Sequence, residues 1–314
     1  MSTIKCNELV YIRRQVPDLA KAKSFLTDFG LISVAETADA IYFRGTDAAP
    51  HCYIIHEGPL SLLGFAFQAK NESDLHVLAA ATGRQVEQID EPGGGMRLRL
   101  QEPNGYAVDV VYGIEAREPI NIERQAVNTG RRPLARAGTV LRLPQGQPTP
   151  VKRIAHVVLG TPIVSETAEW FAQTLGFVAS DEVFGHGGSE HIASFLRVDK
   201  GDDYVDHHAF LPMRSATAGL HHVSFEAQDI DAVMADHHFL KSRGYDQLWG
   251  VGRHLLGSQL FDYWNDPFGH AHEHWADSDR LNASAPIGVW DVKEGLTNQW
   301  GDPPSDRFRN NVKP

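Results

Sequence analysis

The chain reads as two copies of one pattern, and an internal repeat constrains architecture before any single motif is weighed. In the first copy, Leu9-Val10-Tyr11-Ile12 is followed by Asp18, then by Ala22, Phe25 and Phe29, and stops at Gly30. In the second, Ile154-Ala155-His156-Val157 is followed by Thr161-Pro162, then by Ala168, Phe171 and Leu175, and stops at Gly176. Each predicts a strand and then a helix with apolar residues at helical spacing, closed by glycine. The likeness continues where Gly64-Phe65-Ala66-Phe67-Gln68-Ala69 matches His222-Val223-Ser224-Phe225-Glu226-Ala227, both leading into helical stretches. Pro103-Asn104-Gly105 and Asp266-Pro267-Phe268-Gly269 are turn signals before strands that carry Asp109 and Glu273, the acid lying six residues after the proline both times.

Four strand-helix-strands modules follow, opening near Tyr11, Gly64, His156 and His222, two to each half. The expected class is α+β with two domains, residues 1–145 and 146–314, a size at which each half can bury its own core. Residues 115–150 hold Pro133, Pro144, Pro148 and Pro150 and few periodic apolar positions, so they read as a connection, with a short strand expected at Thr139 to Leu143. From about residue 280 the periodicity fades into a tail containing Trp290, Trp300 and Asp302-Pro303-Pro304. It is too aromatic to be simply disordered and is expected to pack on the second domain.

Composition excludes several classes. Hydrophobic residues at 42% and charged residues at 22% describe an ordinary globular chain. No apolar run approaches the roughly 20 residues of a membrane span, and Met1-Ser2-Thr3-Ile4-Lys5 lacks a secretory apolar region, so a cytoplasmic address is expected. Cys6 and Cys52 sit in no metal-binding spacing and are expected to be buried thiols. With 40 acidic against 29 basic residues the net charge of -11 argues against nucleic acid as a partner. Arg131, Arg132 and Arg136 read as a solvated part of the connection, and Gly93-Gly94-Gly95 as a turn, without the context of a phosphate loop.

The unusual number is 16 histidines. Side chains alternate along a strand, so His156 faces away from Ala155 and Val157, and His222 away from His221. By the repeat, His156 and His222 take the same place on the first strands of the third and fourth modules, and Glu273 lies on the last strand of the fourth. Two imidazoles and one carboxylate on one face, with coordination positions left open, form the triad suited to non-haem iron(II) and oxygen chemistry. A catechol could take two open positions and O2 the third. The first half is an internal control, because its matching residues are Tyr11, Gly64 and Asp109, a set that holds no metal. The interval of 51 residues from His222 to Glu273 also separates His156 from His207. His207 is therefore expected to face the same cavity, as a fourth ligand or an acid-base group, with His208 turned away. In the run His270 to His274, alternation sets Glu273 with Ala271 and Trp275, and turns His270, His272 and His274 to the surface or a supporting layer. His186 and His191 belong to a glycine-rich turn and the strand it enters.

Gly219-Leu220-His221-His222-Val223-Ser224-Phe225, and the run from Arg253-His254 through Phe261-Asp262-Tyr263-Trp264-Asn265-Asp266-Pro267-Phe268-Gly269 to Glu273, resemble the type I extradiol dioxygenases of the vicinal oxygen chelate superfamily. The likeness covers nearly the whole chain. It implies two domains of paired βαβββ modules, with the metal only in the C-terminal one and held by His156, His222 and Glu273. It further implies Fe(II), with Mn(II) as an alternative, and O2 and a small aromatic diol as reactants. The protein would be a cytoplasmic homo-oligomer acting in aromatic compound breakdown. Within this resemblance His254 and Tyr263 match a histidine and a tyrosine that contact substrate, and His207 matches the acid-base histidine. The segment Leu255-Leu256-Gly257 lacks polar residues that many biphenyl-type members carry, which leaves the ring substituents open. Two other readings share the fold: a glyoxalase-like isomerase or lyase, in which His207 would be a fourth metal ligand, and a ligand-binding protein without chemistry.

Overall fold

A computed structural model describes residues 2–124, 126–143 and 146–314; Pro144, and the expected domain boundary at residue 145, lie outside the described residues. The first strand, Cys6–Val16, feeds helix Leu19–Asp28, whose start is capped by Asp18 accepting the Lys21 N–H and whose inner face is Ala22, Phe25 and Leu26. Its counterpart, Ile154–Thr161, feeds helix Val164–Leu175, which buries Val164, Ala168, Phe171 and Leu175 and ends at Gly176. Gly176 has φ 75°, and a side chain there would meet the Ile4 carbonyl at 2.6 Å, so both conformation and space require glycine.

An eight-stranded sheet forms from the first half. Its central strands, Cys6–Val16 and Ser61–Ala69, run antiparallel, and each is flanked by the last strand of its own module in parallel, Tyr53–Glu57 on one side and Ala107–Tyr112 on the other. The second sheet repeats the plan, with Ile154–Thr161 and Gly219–Glu226 central, flanked by Phe210–Arg214 and Ala271–Ala276. The registers coincide. Tyr11 pairs with Ala66 and Ala66 with Asp109, while His156 pairs with Ser224 and Ser224 with Glu273. Gly64 and His222 pair with Ala107 and Ala271 in the same way.

The tail extends the second sheet at both edges. Gly288–Asp291 runs parallel to Val178–Gly185, and Asn298–Trp300 runs antiparallel to Asp246–His254, so both edges of this sheet are short strands, which make poor templates for further pairing. Helix Asp306–Arg309 then buries Phe308. By contrast, residues 139–143 form no strand. Val140 is 62% exposed, and with no neighbouring strand its β-propensity brings no ladder.

One apolar core runs between the two halves. Phe65 packs on Phe210, which stacks on Phe171 at 3.9 Å, and Phe29 stacks on His274 at 3.7 Å. His270, His272 and His274 are fully buried rather than at the surface. They do face away from Glu273, but that second face of the sheet is covered by the first half. His274 Nε2 donates to the Phe29 carbonyl at 2.8 Å, and His272 meets the Tyr53 hydroxyl at 3.0 Å. The same hydroxyl accepts from Arg14, which also pairs with buried Asp266 at 3.0 Å. Cys6 and Cys52 are both buried thiols. Among the described residues no helix is long and apolar enough to cross a membrane.

Asp236, on helix Ile230–Ser242, is buried and accepts the Thr149 N–H at 2.7 Å. Burial pushes its carboxyl up to about 8. The folded state therefore keeps a proton that the unfolded chain releases near pH ~4, and this contribution to stability is lost as pH rises from about 4 to about 8. Asp236→Asn is expected to flatten the fall in unfolding free energy across that window; urea melts showing the wild-type slope in the variant would contradict the assignment.

Candidate metal centre

The register brings three side chains to one point. His156 Nε2 lies 2.9 Å and His222 Nε2 3.6 Å from the same Glu273 oxygen, and the three donor atoms all lie within 4.8 Å of one another. The imidazole planes cross at 77° with centroids 5.5 Å apart, so the rings approach the carboxylate from different sides. All three residues are buried. Both oxygens of Glu273 and Nε2 of His222 have no hydrogen-bond partner. An isolated buried carboxylate costs several kcal/mol unless a cation or hydrogen bonds compensate it, so this donor set fits a divalent metal ion. Burial would by itself raise the Glu273 carboxyl; the histidines beside it, His156 foremost, hold it well below the usual carboxylate range. Burial holds His222 well below the ordinary imidazole value. An anionic carboxylate and a neutral imidazole are the protonation states that bind metal.

The equivalent point in the first half is chemically closed. Tyr11 donates to Asp109 at 2.8 Å, and Arg99 grips the same carboxylate through two bonds of 2.7 and 3.0 Å. At Gly64, with φ 149°, a side chain would meet the Ala107 carbonyl at 2.4 Å, so no third donor can be placed there.

A cavity of about 450 Å3 opens against His156 and His222. Its wall includes His208, whose ring lies 4.2 Å from that of His156. His207 is absent from that wall; its Nε2 is 2.6 Å from Asp181, behind His208. The expectation that His207 faces the cavity and His208 turns away is therefore reversed, and the strand ladder gives the reason. Since Phe210 pairs with Val157 and Leu211 with Val158, the position equivalent to Glu273 is Leu211, which does line the cavity. The third module is longer than the fourth between its lead and closing strands, and residues 207–209 precede the closing strand, so strand alternation does not apply to them.

His221 is a second correction. A bulge between Leu220 and His222 turns both His221 and His222 toward the cavity, with their Nδ1 atoms 2.8 Å apart. His254 and Tyr263 do meet at the site, Nε2 to hydroxyl at 3.0 Å, with Trp249 stacked parallel to Tyr263. Burial, reinforced by the Glu273 charge, keeps the Tyr263 phenol well above its ordinary value, hence a neutral donor. His208 is held well below the imidazole value, by burial first and by His156 next. The tail contributes Phe308, packed against His221, Trp249 and Tyr263. Sequence reasoning missed His208, Trp249 and Phe308; the only signal for the last was the aromatic character of a tail outside the repeat. His186 and His191 pair with Glu190 and Glu182, off the cavity wall.

Residues 153–273 match the family model described as the Glyoxalase/Bleomycin resistance protein/Dioxygenase superfamily. Metapyrocatechase 2 of Cupriavidus necator is 29% identical over 309 residues, 95% of this chain and 90% of that protein. Two solved structures share the fold. Homoprotocatechuate 2,3-dioxygenase of Brevibacterium fuscum, in complex with 3,4-dihydroxyphenylacetate, has a TM-score of 0.80 at 20% identity, covering 98% of this chain and 92% of that one. The Mn(II)-bound glyoxalase of Novosphingobium aromaticivorans has a TM-score of 0.77 at 24% identity, covering 96% and 94%. Both sheets are built from paired βαβββ modules, and His156, His222 and Glu273 all fall within the matched segment, so residues 153–273 are similar to the Glyoxalase/Bleomycin resistance protein/Dioxygenase superfamily and the chain shares the fold of the two solved structures.

Proposed function

We propose that the chain is an iron(II)-dependent extradiol dioxygenase that opens a catechol ring bearing an uncharged, apolar substituent. Sequence likeness to a metapyrocatechase along almost the full length supports the reaction class. The observation that carries the reading at the site is the number of protein donors: three converge, and the position equivalent to Glu273, where a four-ligand isomerase would need a further donor, is Leu211, while His207 pairs with Asp181 outside the cavity. The proposed ligands are His156, His222 and Glu273. A bound divalent metal would supply adjacent positions for both diol oxygens and for O2 and let electrons pass between them.

The surrounding residues handle protons and orientation. His208, neutral and on the cavity wall, would take the proton that the diol must lose and return one to oxygen as the O–O bond breaks, both oxygen atoms ending in the ring-opened product. Tyr263, a neutral phenol held by His254, donates a hydrogen bond to a substrate oxygen and fixes the ring against the triad. Trp249 and Phe308 pack behind this pair and exclude water. Ile192, Phe195, Leu211, Leu256, Val292 and Leu296 line the rest of the cavity and suit an alkyl or aryl group. Of the cations on the wall, Arg214 is engaged by Glu190 and the Pro162 carbonyl, and Arg309 by Asp306, while Lys293 is exposed. Fe(II), with Mn(II) as the alternative that the manganese-dependent 2,3-dihydroxybiphenyl 1,2-dioxygenase at 24% identity supports, and a cytoplasmic homo-oligomer in aromatic compound breakdown are assigned from the family resemblance.

Iron-loaded protein mixed anaerobically with an alkylcatechol and then exposed to O2 is expected to consume O2 and form a yellow ring-opened product. Binding without O2 uptake would reject the dioxygenase reading. Across a substituent panel, kcat/KM is expected to be about 10-fold or more higher for alkyl- or arylcatechols than for carboxylated ones; the opposite order would reject the substrate assignment alone. Glu273→Ala is expected to weaken metal binding by about 100-fold or more in titration calorimetry. His208→Asn is expected to keep the metal and lose about 100-fold or more in kcat. Metal loss in the His208 variant would instead make that residue a ligand.

A further inference from the structure

Behind His208 lies a buried chain of polar contacts that the reaction as described does not use. Trp290 Nε1 donates to Asp181 Oδ1 at 2.7 Å, His207 Nε2 lies 2.6 Å from Asp181 Oδ2, and His207 Nδ1 lies 3.2 Å from His208 Nδ1. His207 and His208 are 2% and 3% exposed, so solvent hardly competes for the bonds of His207, while the Trp290–Asp181 bond is half-buried. The cradle is closely fitted. A side chain at Gly288 would come 1.9 Å from Asp181 Oδ1, and one at Gly257 3.0 Å from His207 Nδ1.

With His207 neutral, donor and acceptor roles propagate along this chain in one way. An indole N–H only donates and a carboxylate only accepts, so both Asp181 oxygens receive hydrogens and His207 must carry its proton on Nε2. A neutral His207 then presents a lone pair at Nδ1, and the contact with His208 requires the proton there to sit on His208 Nδ1. The other nitrogen of His208, Nε2, is left as a lone pair on the cavity side of the ring. We propose that Asp181, acting through His207, is a positioning residue that fixes His208 as the Nδ1–H tautomer, ready to receive a substrate proton at Nε2. This rests on the role given to His208 above. It also assigns the tail a task, because Trp290 and Gly288, which hold Asp181, lie on the strand Gly288–Asp291 outside the repeated modules.

Asp181→Asn reverses the chain. Trp290 still donates to the amide oxygen, which turns the amide NH2 toward His207; His207 becomes an acceptor at Nε2 and a donor at Nδ1, and His208 carries its proton at Nε2. Long-range 1H–15N correlation on histidine-labelled, metal-free protein near neutral pH reads this directly, the His208 signals being identified by their loss in His208→Asn. Wild type is expected to show His208 protonated at Nδ1 only, and Asp181→Asn at Nε2 only. Trp290→Phe, which leaves the carboxylate, is expected to keep the wild-type pattern and decides the matter if the Asn variant does not fold. In iron-loaded protein, Asp181→Asn is expected to lower kcat by about 100-fold or more while KM and metal content stay within about twofold, with partial recovery in Asp181→Glu. A wild-type His208 protonated at Nε2, as a cationic His207 would impose, overturns the proposal, as does an unchanged tautomer in Asp181→Asn. The spectra hold whether or not the protein consumes O2, so this inference and the reaction assignment fail separately.

Discussion

The register between three neighbouring strands brings His156, His222 and Glu273 together. Ile154–Thr161 runs antiparallel to Gly219–Glu226, which runs parallel to Ala271–Ala276, and the ladder from His156 through Ser224 to Glu273 fixes which side chains share a face. A slip of one residue would send the donors to the opposite face, into the apolar core shared with the first half. That core holds the register: His274 stacks on Phe29, and His272 joins Tyr53 and Arg14. The first half thus acts as a platform on which the other face of the second sheet is seated.

The same ladder exists twice and was put to two uses. In the first half its three positions hold Tyr11, Gly64 and Asp109, and the carboxylate is saturated by a phenol and a guanidinium. In the second half the carboxylate is left without hydrogen bonds beside two imidazoles held in place by their strands. A buried carboxylate costs folding energy unless a cation or hydrogen bonds compensate it, so the second copy fits a cation and the first copy does not.

Much of this was legible in the sequence because strands impose a period of two and a repeat imposes equivalence. The four modules, the triad positions and the barren first half follow from those two rules. Where the rules lapse, the reading lapsed. His207 was chosen over His208 by counting a fixed interval, whereas the third module is longer and the pair sits before its closing strand. His221 was turned away from the cavity by alternation, which the bulge beside it suspends. His270, His272 and His274 were placed correctly on the far face but not in the core, since a sequence does not show what covers a sheet. Residues 139–143 have strand-forming side chains and no partner to pair with. Trp290 and Phe308 reach the site from outside the repeat, where no internal comparison could locate them.

Anomalous diffraction from crystals of the protein grown with iron, recorded on both sides of the iron edge, measures the central claim directly. The account predicts a single strong peak bonded by His156, His222 and Glu273, and none between Tyr11, Gly64 and Asp109. A peak in the first half, or one in the second half with His207 or His208 as a fourth protein ligand, would contradict it.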